Sequence, residues 1–347
     1  MDKNEIIKSL SKKSGGEIYL GVVGAVRTGK STFIKKCIET LILPNITDEY
    51  EKKKCMDEIP QTAAGKQIMT TEPKFVPSSG ANIDVENMKV NIKLVDCVGY
   101  VTPEALGYED EMGNPRMVKT PWFETEMPFS EAASLGTEKV IKDHATIGIV
   151  ITTDGSIGEL PRSNYINAED KVIGELKTIN KPFIVIMNTT HPENTTTNNI
   201  CNQIKEKYNV PVIPVSVVDM TEKDIVGILK EALYEFPVED IEVNIPDWVS
   251  VLSKENKIKK TFMNAIQESV VSVDKLRDIE NINLNFEEKD IISNAYISNL
   301  NTNTGEVTIN LEAPDTLFDE VLKDTIGLSV KGKRDLLRIF TEYKEGK

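Results

Sequence analysis

Short apolar runs alternate with amphipathic segments through the first 240 residues. Runs typical of buried strands occupy residues 18–23, 146–154, 182–188 and 210–218. After the first run, apolar residues recur at helical spacing, at Phe33, Ile34, Cys37, Ile38 and Leu41. Helical patterns also follow the later runs, up to residue 179 and near 193–208 and 222–235. This alternation predicts an α/β domain with a parallel sheet and right-handed crossovers.

Three other parts of this region have different patterns. Residues 1–16 have the composition of a short polar helix that ends at a Gly-Gly pair. Residues 82–96 alternate over most of their length, as a hairpin or a pair of strands does. Residues 100–130 are rich in proline, glycine and acidic side chains. Such a long connection predicts a functional or interaction insertion.

The pattern of apolar and polar residues changes near residue 240, where we expect a domain boundary. Beyond it, one long helix is predicted to present a single apolar face, formed by Ile258, Phe262, Ile266, Val270, Val273 and Leu276. A hairpin pattern centred on residues 303–305 and two helical segments follow. We therefore predict a larger domain over residues 1–240 and a smaller α/β domain over residues 241–347.

Composition narrows the class of protein. The 347 residues carry a formal net charge of -14, which argues against general nucleic-acid binding because that requires a basic surface. No apolar run approaches the ~20 residues of a membrane span, and the first residues lack the apolar core of an export signal. The four cysteines are scattered and far from the two histidines, so we expect reduced thiols and no zinc site.

A phosphate-binding motif directly follows the first apolar run. Residues 24–32 read "GAVRTGKST" and match G-x-x-x-x-G-K-[ST], between a predicted strand and a predicted helix. The glycines let backbone N–H groups turn toward a phosphate, and the helix start adds its positive dipole end. We expect Lys30 to reach the β- and γ-phosphates and Ser31 to bind Mg²⁺. The residues that the motif assigns to nucleotide binding are Gly24, Arg27, Thr28, Gly29, Lys30, Ser31 and Thr32.

A D-x-x-G element lies in the expected order behind this motif. Asp96 ends a predicted strand, where a carboxylate can hold magnesium through water, and Gly99 can bring its N–H to the γ-phosphate. A switch loop between the first helix and the second strand should supply a threonine that senses the γ-phosphate. Thr70 and Thr71 are both candidates, and their spacing does not choose between them. We place Thr70 with Ser31 and Asp96 around the metal.

The guanine-recognition motif of GTPases with this order of elements is incomplete here. N-K-x-D should follow the fifth strand; Asn188 is present, but Thr189 replaces the lysine and His191 replaces the aspartate. Histidine cannot replace the acceptor for guanine, and each unsatisfied donor costs about 1–3 kcal/mol. We therefore expect ATP rather than GTP, with Asn188 and Ser216 lying where such folds close over the base.

The residue that usually orients the attacking water is also different. Many GTPases carry a glutamine after D-x-x-G, whereas this chain has Tyr100. Arg27 lies where the phosphate loop passes the bridge between the β- and γ-phosphates. Its guanidinium is therefore a candidate internal arginine finger. The alternative is an arginine that faces solvent or forms a salt bridge.

Taken together, these segments resemble the stage IV sporulation protein A family, the spore-coat morphogenetic ATPases of endospore-forming bacteria. The resemblance rests on "GEIYLGVVGAVRTGKSTFIKKC", "TAAGKQIMTTEPKFVP", "VDCVGY", "ATIGIVITTDGS" and "EALYEFPV". It covers nearly the whole chain and is most specific in the first 240 residues. It implies a P-loop GTPase-like fold, with a doubly wound, mostly parallel sheet of the translation-factor-related class, converted to ATP. The functional positions of the family correspond to Lys30, Thr70, Thr71 and Asp96, and all four are intact.

The same resemblance implies a use for the hydrolysis of ATP. Turnover would let copies of the protein assemble into a static polymer on the forespore surface, as the base of the spore coat. The protein would lie in the mother-cell cytoplasm, peripheral to the outer forespore membrane. Its partners would be further copies, a small amphipathic membrane-anchoring protein and spore-coat proteins. Family members continue into a further C-terminal region, which we expect to be missing from this chain.

Two other functions fit some of the same residues. A regulatory GTPase-like switch would use the same loops, but the missing N-K-x-D aspartate argues against it. A P-loop kinase would transfer phosphate to a small substrate, but D-x-x-G and a switch threonine are more typical of an enzyme that uses water. Trp122 and Phe123, in the acidic insertion, are either interface anchors or residues that pack on their own domain.

Overall fold

A six-stranded sheet organises Met1–Phe236, the first of two units into which the chain divides. The computed structural model describes residues 1–60, 73–85, 88–102, 108–109, 113–121, 123–327 and 333–346. The strands of this unit are β1 (Glu17–Gly24), β2 (Lys74–Val85), β3 (Met88–Asp96), β4 (Met117–Thr120), β5 (Phe123–Pro128), β6 (Ile147–Thr153), β7 (Phe183–Asn188) and β8 (Val212–Val215). The sheet has the order β2-β3-β1-β6-β7-β8. Only β2 runs antiparallel to its neighbour, and the other adjacent pairs are parallel.

Helices cover both faces of this sheet. They are α1 (Lys3–Lys13), α2 (Lys30–Cys37), α3 (Glu49–Asp57), α4 (Phe129–Lys139), α5 (Ser163–Thr178), α6 (Thr195–Tyr208) and α7 (Glu222–Tyr234). One core layer joins α5 and α6 to the sheet, and the opposite layer joins α2 and α7 to it. Every residue of β6 and β7 is buried, as expected for parallel strands with helices on both sides. The predicted doubly wound, mostly parallel sheet is confirmed.

The first helix is polar on one side only. Asp2 caps α1, and the Glu5 side chain accepts from the Asp2 backbone in a capping box. Ile6, Ile7 and Leu10 are fully or almost fully buried, and α1 packs against α7 and β3. The segment is polar in overall composition, but three apolar residues on one side of the helix belong to the core.

The acidic insertion contains secondary structure of its own. Strands β4 and β5 form an antiparallel hairpin, and α4 begins immediately after it. Phe123 is about half exposed. Trp122 lies outside the described residues.

The second unit, Pro237–Lys347, has a three-stranded sheet with the order β10-β11-β9. Its elements are β9 (Asp240–Asn244), α8 (Asp247–Ser250), α9 (Lys257–Val270), β10 (Asn294–Asn301), β11 (Glu306–Glu312), α10 (Asp315–Ile326) and α11 (Lys333–Lys344). The expected hairpin is β10–β11, which is antiparallel, whereas β11 and β9 are parallel. No helix within the described residues combines the length and apolar character that crossing a bilayer requires.

The long helix predicted for this unit is wrong at its C-terminal end. Helix α9 stops at Val270, and Leu276 belongs to a separate 3₁₀ segment, Leu276–Asn281. Three of the four residues 270–273 are β-branched valines, which favour leaving the helical conformation. The Asp278 carboxylate then accepts from the backbone N–H groups of Asp274 and Lys275 and starts the new segment.

We expect Ile7→Ala to destabilise the protein by about 2–5 kcal/mol, because it leaves a cavity between α1 and its neighbours. Ile7 has no exposed surface, whereas Ile166 on α5 is 40% exposed and provides a matched control. Urea unfolding of the full chain, followed by circular dichroism, measures both variants. Equal, small effects of Ile7→Ala and Ile166→Ala would show that α1 is not part of the core.

Candidate functional site

The phosphate loop joins the end of β1 to the start of α2, at the centre of the larger sheet. Gly24 ends β1 with a φ of 142°, and a Cβ added there would lie 2.2 Å from the carbonyl oxygen of Ile151 in β6. No side chain fits in that space, so the loop leaves the sheet in close contact with the neighbouring strand. Helix α2 begins at Lys30, so its unpaired first N–H groups and positive dipole end face the loop.

The ammonium group of Lys30 lies inside the loop. The residue is 5% exposed, and its Nζ donates to the carbonyl oxygen of Ala25 at 2.5 Å. The Thr28 hydroxyl donates to the same oxygen at 3.0 Å. Burial lowers the pKa of Lys30, and the charges of Cys97 and Asp96 oppose that shift. A buried cation in a loop of this shape is suited to an anionic ligand.

A carboxylate and a hydroxyl meet beside this lysine. The Ser31 Oγ, on the first turn of α2, donates to Asp96 Oδ2 at 2.9 Å, and Asp96 ends β3. Asp96 Oδ1 is buried without a hydrogen-bond partner among the described residues. Burial raises the pKa of Asp96, while Lys30 and the Ser31 hydrogen bond act in the opposite direction. An unsatisfied carboxylate oxygen next to a hydroxyl oxygen fits a hard divalent cation such as Mg²⁺.

The D-x-x-G segment lies directly against the phosphate loop. The Tyr100 N–H donates to the Gly24 carbonyl at 3.1 Å, and the Val26 N–H donates to the Tyr100 carbonyl at 2.9 Å. Gly99 has a φ of 89°, and a Cβ there would lie 2.3 Å from the Gly24 oxygen and 2.5 Å from Lys30 Nζ. The structure therefore brings Gly24, Lys30, Ser31, Asp96 and Gly99 into one site.

Arg27 lies in the phosphate loop and Thr32 at the start of α2. Arg27 occupies the left-handed backbone region, with a φ of 65°, and its side chain is half-buried. Burial raises the pKa of Tyr165 on α5, and the charge of Arg27 opposes the shift. Thr32, on the first turn of α2, is also half-buried. Thr70 and Thr71 lie outside the described residues.

Asn188, which the sequence analysis placed near the base, ties three loops together. The side chain is 5% exposed; its Nδ2 donates to the Thr28 carbonyl at 2.9 Å, and its Oδ1 accepts from the Val217 N–H at 3.2 Å. This amide also lies against Gly29, where an added Cβ would be 2.4 Å from Nδ2. Ser216 is next to Val217, and its hydroxyl donates to Asp219 at 2.6 Å. Both polar side chains already have partners within the protein.

A carboxylate that was not predicted from the sequence forms several hydrogen bonds at the same edge of the sheet. Asp154 directly follows β6, and its two oxygens accept from Thr189 at 2.6 Å, Thr197 at 2.7 Å and Ser156 at 2.6 Å. Although partial burial opposes it, these hydrogen bonds lower the pKa of Asp154. Thr189 occupies the position of the N-K-x-D lysine of GTPases, and its hydroxyl donates to Asp154. His191, at the aspartate position, is exposed.

Family comparisons agree with this geometry. Residues 1–237 match the family model "Stage IV sporulation protein A, ATPase domain", and residues 238–347 match "Stage IV sporulation protein A, middle domain". The chain belongs to the stage IV sporulation protein A family. The resemblance stated from the sequence is thereby confirmed, and so is the expectation that the protein is an ATPase. Membership also implies a nucleotide substrate, which the buried lysine and the loop around it can accommodate.

Curated relatives support the same assignment. Stage IV sporulation protein A of Bacillus anthracis is 48% identical over 348 residues, which cover 100% of this chain and 70% of the relative. The Bacillus subtilis (strain 168) protein is 47% identical with the same coverage. The Clostridioides difficile (strain 630) protein is 43% identical over 345 residues, covering 99% of this chain and 70% of its own length. The chain is therefore a member of a sporulation ATPase family along its whole length.

We expect Gly99→Ala to abolish ATP hydrolysis, because a methyl group there would collide with the Gly24 carbonyl and the Lys30 ammonium. Gly174→Ala is the matched control, since an added Cβ on that helical residue meets no atom within 4 Å. Its activity should be unchanged and its stability equal or higher by up to about 1 kcal/mol. Phosphate-release assays measure turnover, and full activity of Gly99→Ala would contradict the close contact of the two loops.

Proposed function

We propose that this ATPase binds ATP with Mg²⁺ in the phosphate loop and uses hydrolysis to assemble into a static polymer. The polymer forms on the forespore surface as the base of the spore coat. One observation carries the nucleotide part: a buried Lys30 lies beside the Ser31–Asp96 pair, whose Asp96 Oδ1 has no partner among the described residues. Family membership supports the sporulation role.

The residues of the site divide the chemistry between them. The Lys30 ammonium attracts the β- and γ-phosphates, and the backbone N–H groups at the start of α2 bind their oxygens. Ser31 and Asp96 would hold Mg²⁺, and the bound ion would neutralise charge on the phosphates. Gly99 lies next to Lys30 Nζ, where its N–H can reach the terminal phosphate. Thr70 or Thr71 completes the metal and γ-phosphate contacts.

Adenine is the base that the remaining loops suit. The N-K-x-D acceptor for guanine is replaced by His191, which is exposed, and Thr189 is bonded to Asp154. Guanine would therefore meet no carboxylate at the aspartate position, and its N–H donors would lose a strong acceptor. Asn188 and Ser216 would lie beside the base, in loops that their hydrogen bonds hold in place.

Arg27 supplies positive charge during hydrolysis. It lies between Gly24 and Gly29, in the part of the loop that borders the β–γ bridge, and its backbone φ of 65° directs it away from ordinary helical or extended geometry. A guanidinium there stabilises the charge that develops when the terminal phosphate leaves.

The assembled protein has further partners in this proposal. It lies in the mother-cell cytoplasm, peripheral to the outer forespore membrane, where a small amphipathic protein anchors it and spore-coat proteins collect on it. Family membership is the support for these partners. The net charge of -14 fits a role that does not involve nucleic acid.

Lys30→Ala should remove both ATP turnover and nucleotide-dependent sedimentation, because the loop loses its only buried ammonium within the described residues. Lys53→Ala, an exposed lysine on α3, is the matched control and should behave as wild type. Phosphate release and high-speed sedimentation are measured with ATP, with GTP and without nucleotide, each with Mg²⁺.

Each arm of that experiment tests a different part of the proposal. Turnover by Lys30→Ala equal to that of Lys53→Ala would contradict the binding site. Equal turnover of ATP and GTP would contradict the choice of base and favour a less selective nucleotide switch. ATP turnover without a sedimenting polymer would contradict assembly as the use of hydrolysis.

Arg27→Ala should lower kcat by about 10³-fold, the lower end of the effect of an arginine finger, and should change the KM for ATP much less. Arg27→Lys keeps a charge without the planar guanidinium and should recover only part of the rate. Steady-state kinetics on wild type and both variants separates kcat from KM. An unchanged kcat in Arg27→Ala would show that this arginine has no role in hydrolysis.

A further inference from the structure

Tyr100 occupies the position after D-x-x-G, and its side chain contacts helix α5. The residue is 4% exposed, and its hydroxyl donates to the Glu175 carboxylate on α5. The Lys171 ammonium lies 4.3 Å from the centre of the Tyr100 ring. Lys171 and Glu175 are one turn apart on α5, so both side chains contact Tyr100 from the same face of the helix. A water-orienting group would instead have to reach toward the terminal phosphate.

The main chain of the same residue is attached to the phosphate loop. Its N–H and carbonyl form hydrogen bonds with Gly24 and Val26 at 3.1 Å and 2.9 Å. Gly99, directly before it, lies against Lys30 Nζ. The main chain of Tyr100 is therefore bonded to the phosphate loop directly after the glycine that lies against Lys30.

Helix α5 supports the other side of the site as well. Tyr165, at its N-terminal end, is 1% exposed and lies close enough to Arg27 for the guanidinium charge to act on its hydroxyl. The same helix carries Lys171 and Glu175, which contact the Tyr100 side chain that follows D-x-x-G.

We propose that Tyr100 is a positioning residue for ATP hydrolysis: its bond to Glu175 and its contact with Lys171 anchor the D-x-x-G loop to α5. Through this anchor, Gly99 keeps the distance from Lys30 that the reacting phosphate needs. The inference rests on the proposed function, since it assigns a role within the same ATP site. It places Tyr100 outside the set of residues that touch the nucleotide.

The bond between Tyr100 and Glu175 has a defined direction of donation. Burial raises the pKa of the Tyr100 hydroxyl far above its ordinary value, and the nearby Glu175 carboxylate adds to the shift. The hydroxyl therefore remains protonated and donates, and the partner must be an acceptor. Glutamine at position 175 retains an acceptor oxygen, whereas alanine does not.

Steady-state kinetics on five variants tests the proposal. Tyr100→Phe keeps the buried ring and loses the hydroxyl; we expect kcat to fall by about tenfold or more, with KM for ATP within about twofold. Glu175→Ala should have the same effect, and the double variant should be no slower than either single variant. Glu175→Gln should recover most of the rate. Tyr50→Phe, at a 79% exposed tyrosine, is the control and should match wild type.

Tyr100→Gln separates an anchor from a defective water-orienting residue. If the ring is the anchor, glutamine should lower kcat further than phenylalanine does. If the position only needs an amide to orient water, glutamine should raise kcat above wild type, and that result would overturn the proposal. Thermal unfolding should show that Tyr100→Phe is fully folded at the assay temperature, so that its lower kcat does not reflect unfolded protein.

The outcomes for this residue and for the site as a whole are distinct. Wild-type protein that fails to hydrolyse ATP would refute the proposed function. Wild-type turnover that survives unchanged in Tyr100→Phe and in Glu175→Ala would refute the anchoring role alone. Losses in the two single variants that multiply in the double variant would show that the two side chains act separately, which also contradicts the proposal.

Discussion

The close approach of three backbone segments at the carboxyl ends of β1, β3 and β6 is the constraint on which the site depends. A Cβ on Gly24 would lie 2.2 Å from the Ile151 carbonyl oxygen, and one on Gly99 would lie 2.3 Å from the Gly24 carbonyl oxygen. Because neither position has room for a side chain, the two loops pack at backbone distance. Lys30, at the start of α2, and Asp96, at the end of β3, consequently belong to the same site.

Burial disfavours the charged forms of both side chains when no ligand is bound. The pKa of Lys30 is lowered and the pKa of Asp96 is raised, and desolvation is the largest cause of both shifts. Their mutual attraction opposes the two shifts without cancelling them, as is common for charges removed from water. A triphosphate and a divalent cation bring charges of the opposite sign to each residue. The charges of the site are therefore complementary to those of a metal-bound triphosphate.

Much of this arrangement could be predicted from the sequence, because it depends on local order. The phosphate loop, D-x-x-G and the alternating apolar runs each consist of a few consecutive residues, and a parallel sheet places the ends of neighbouring strands side by side. The choice of Gly24, Lys30, Ser31, Asp96 and Gly99 needed nothing more than spacing and a strand before each turn.

The remaining features depend on contacts between distant parts of the chain. Asp154 is bonded to Thr189 and Thr197, which are 35 and 43 residues away, so no local pattern marks it. The direction of the Tyr100 ring depends on two residues of α5, and the role of Asn188 depends on where two other loops end. The early end of α9 reflects competition between helical periodicity and β-branched residues, which periodicity alone does not resolve.

The central claim is that this loop binds the triphosphate of an adenine nucleotide together with its metal ion, and isothermal titration calorimetry tests it most directly. Titration of the full chain with a non-hydrolysable ATP analogue should give saturable heat corresponding to one nucleotide per chain when Mg²⁺ is present. Replacing Mg²⁺ with a chelator should weaken that binding severely, because Ser31 and Asp96 would then hold no cation. The absence of binding heat with Mg²⁺, or affinity that is the same with chelator, would contradict the claim.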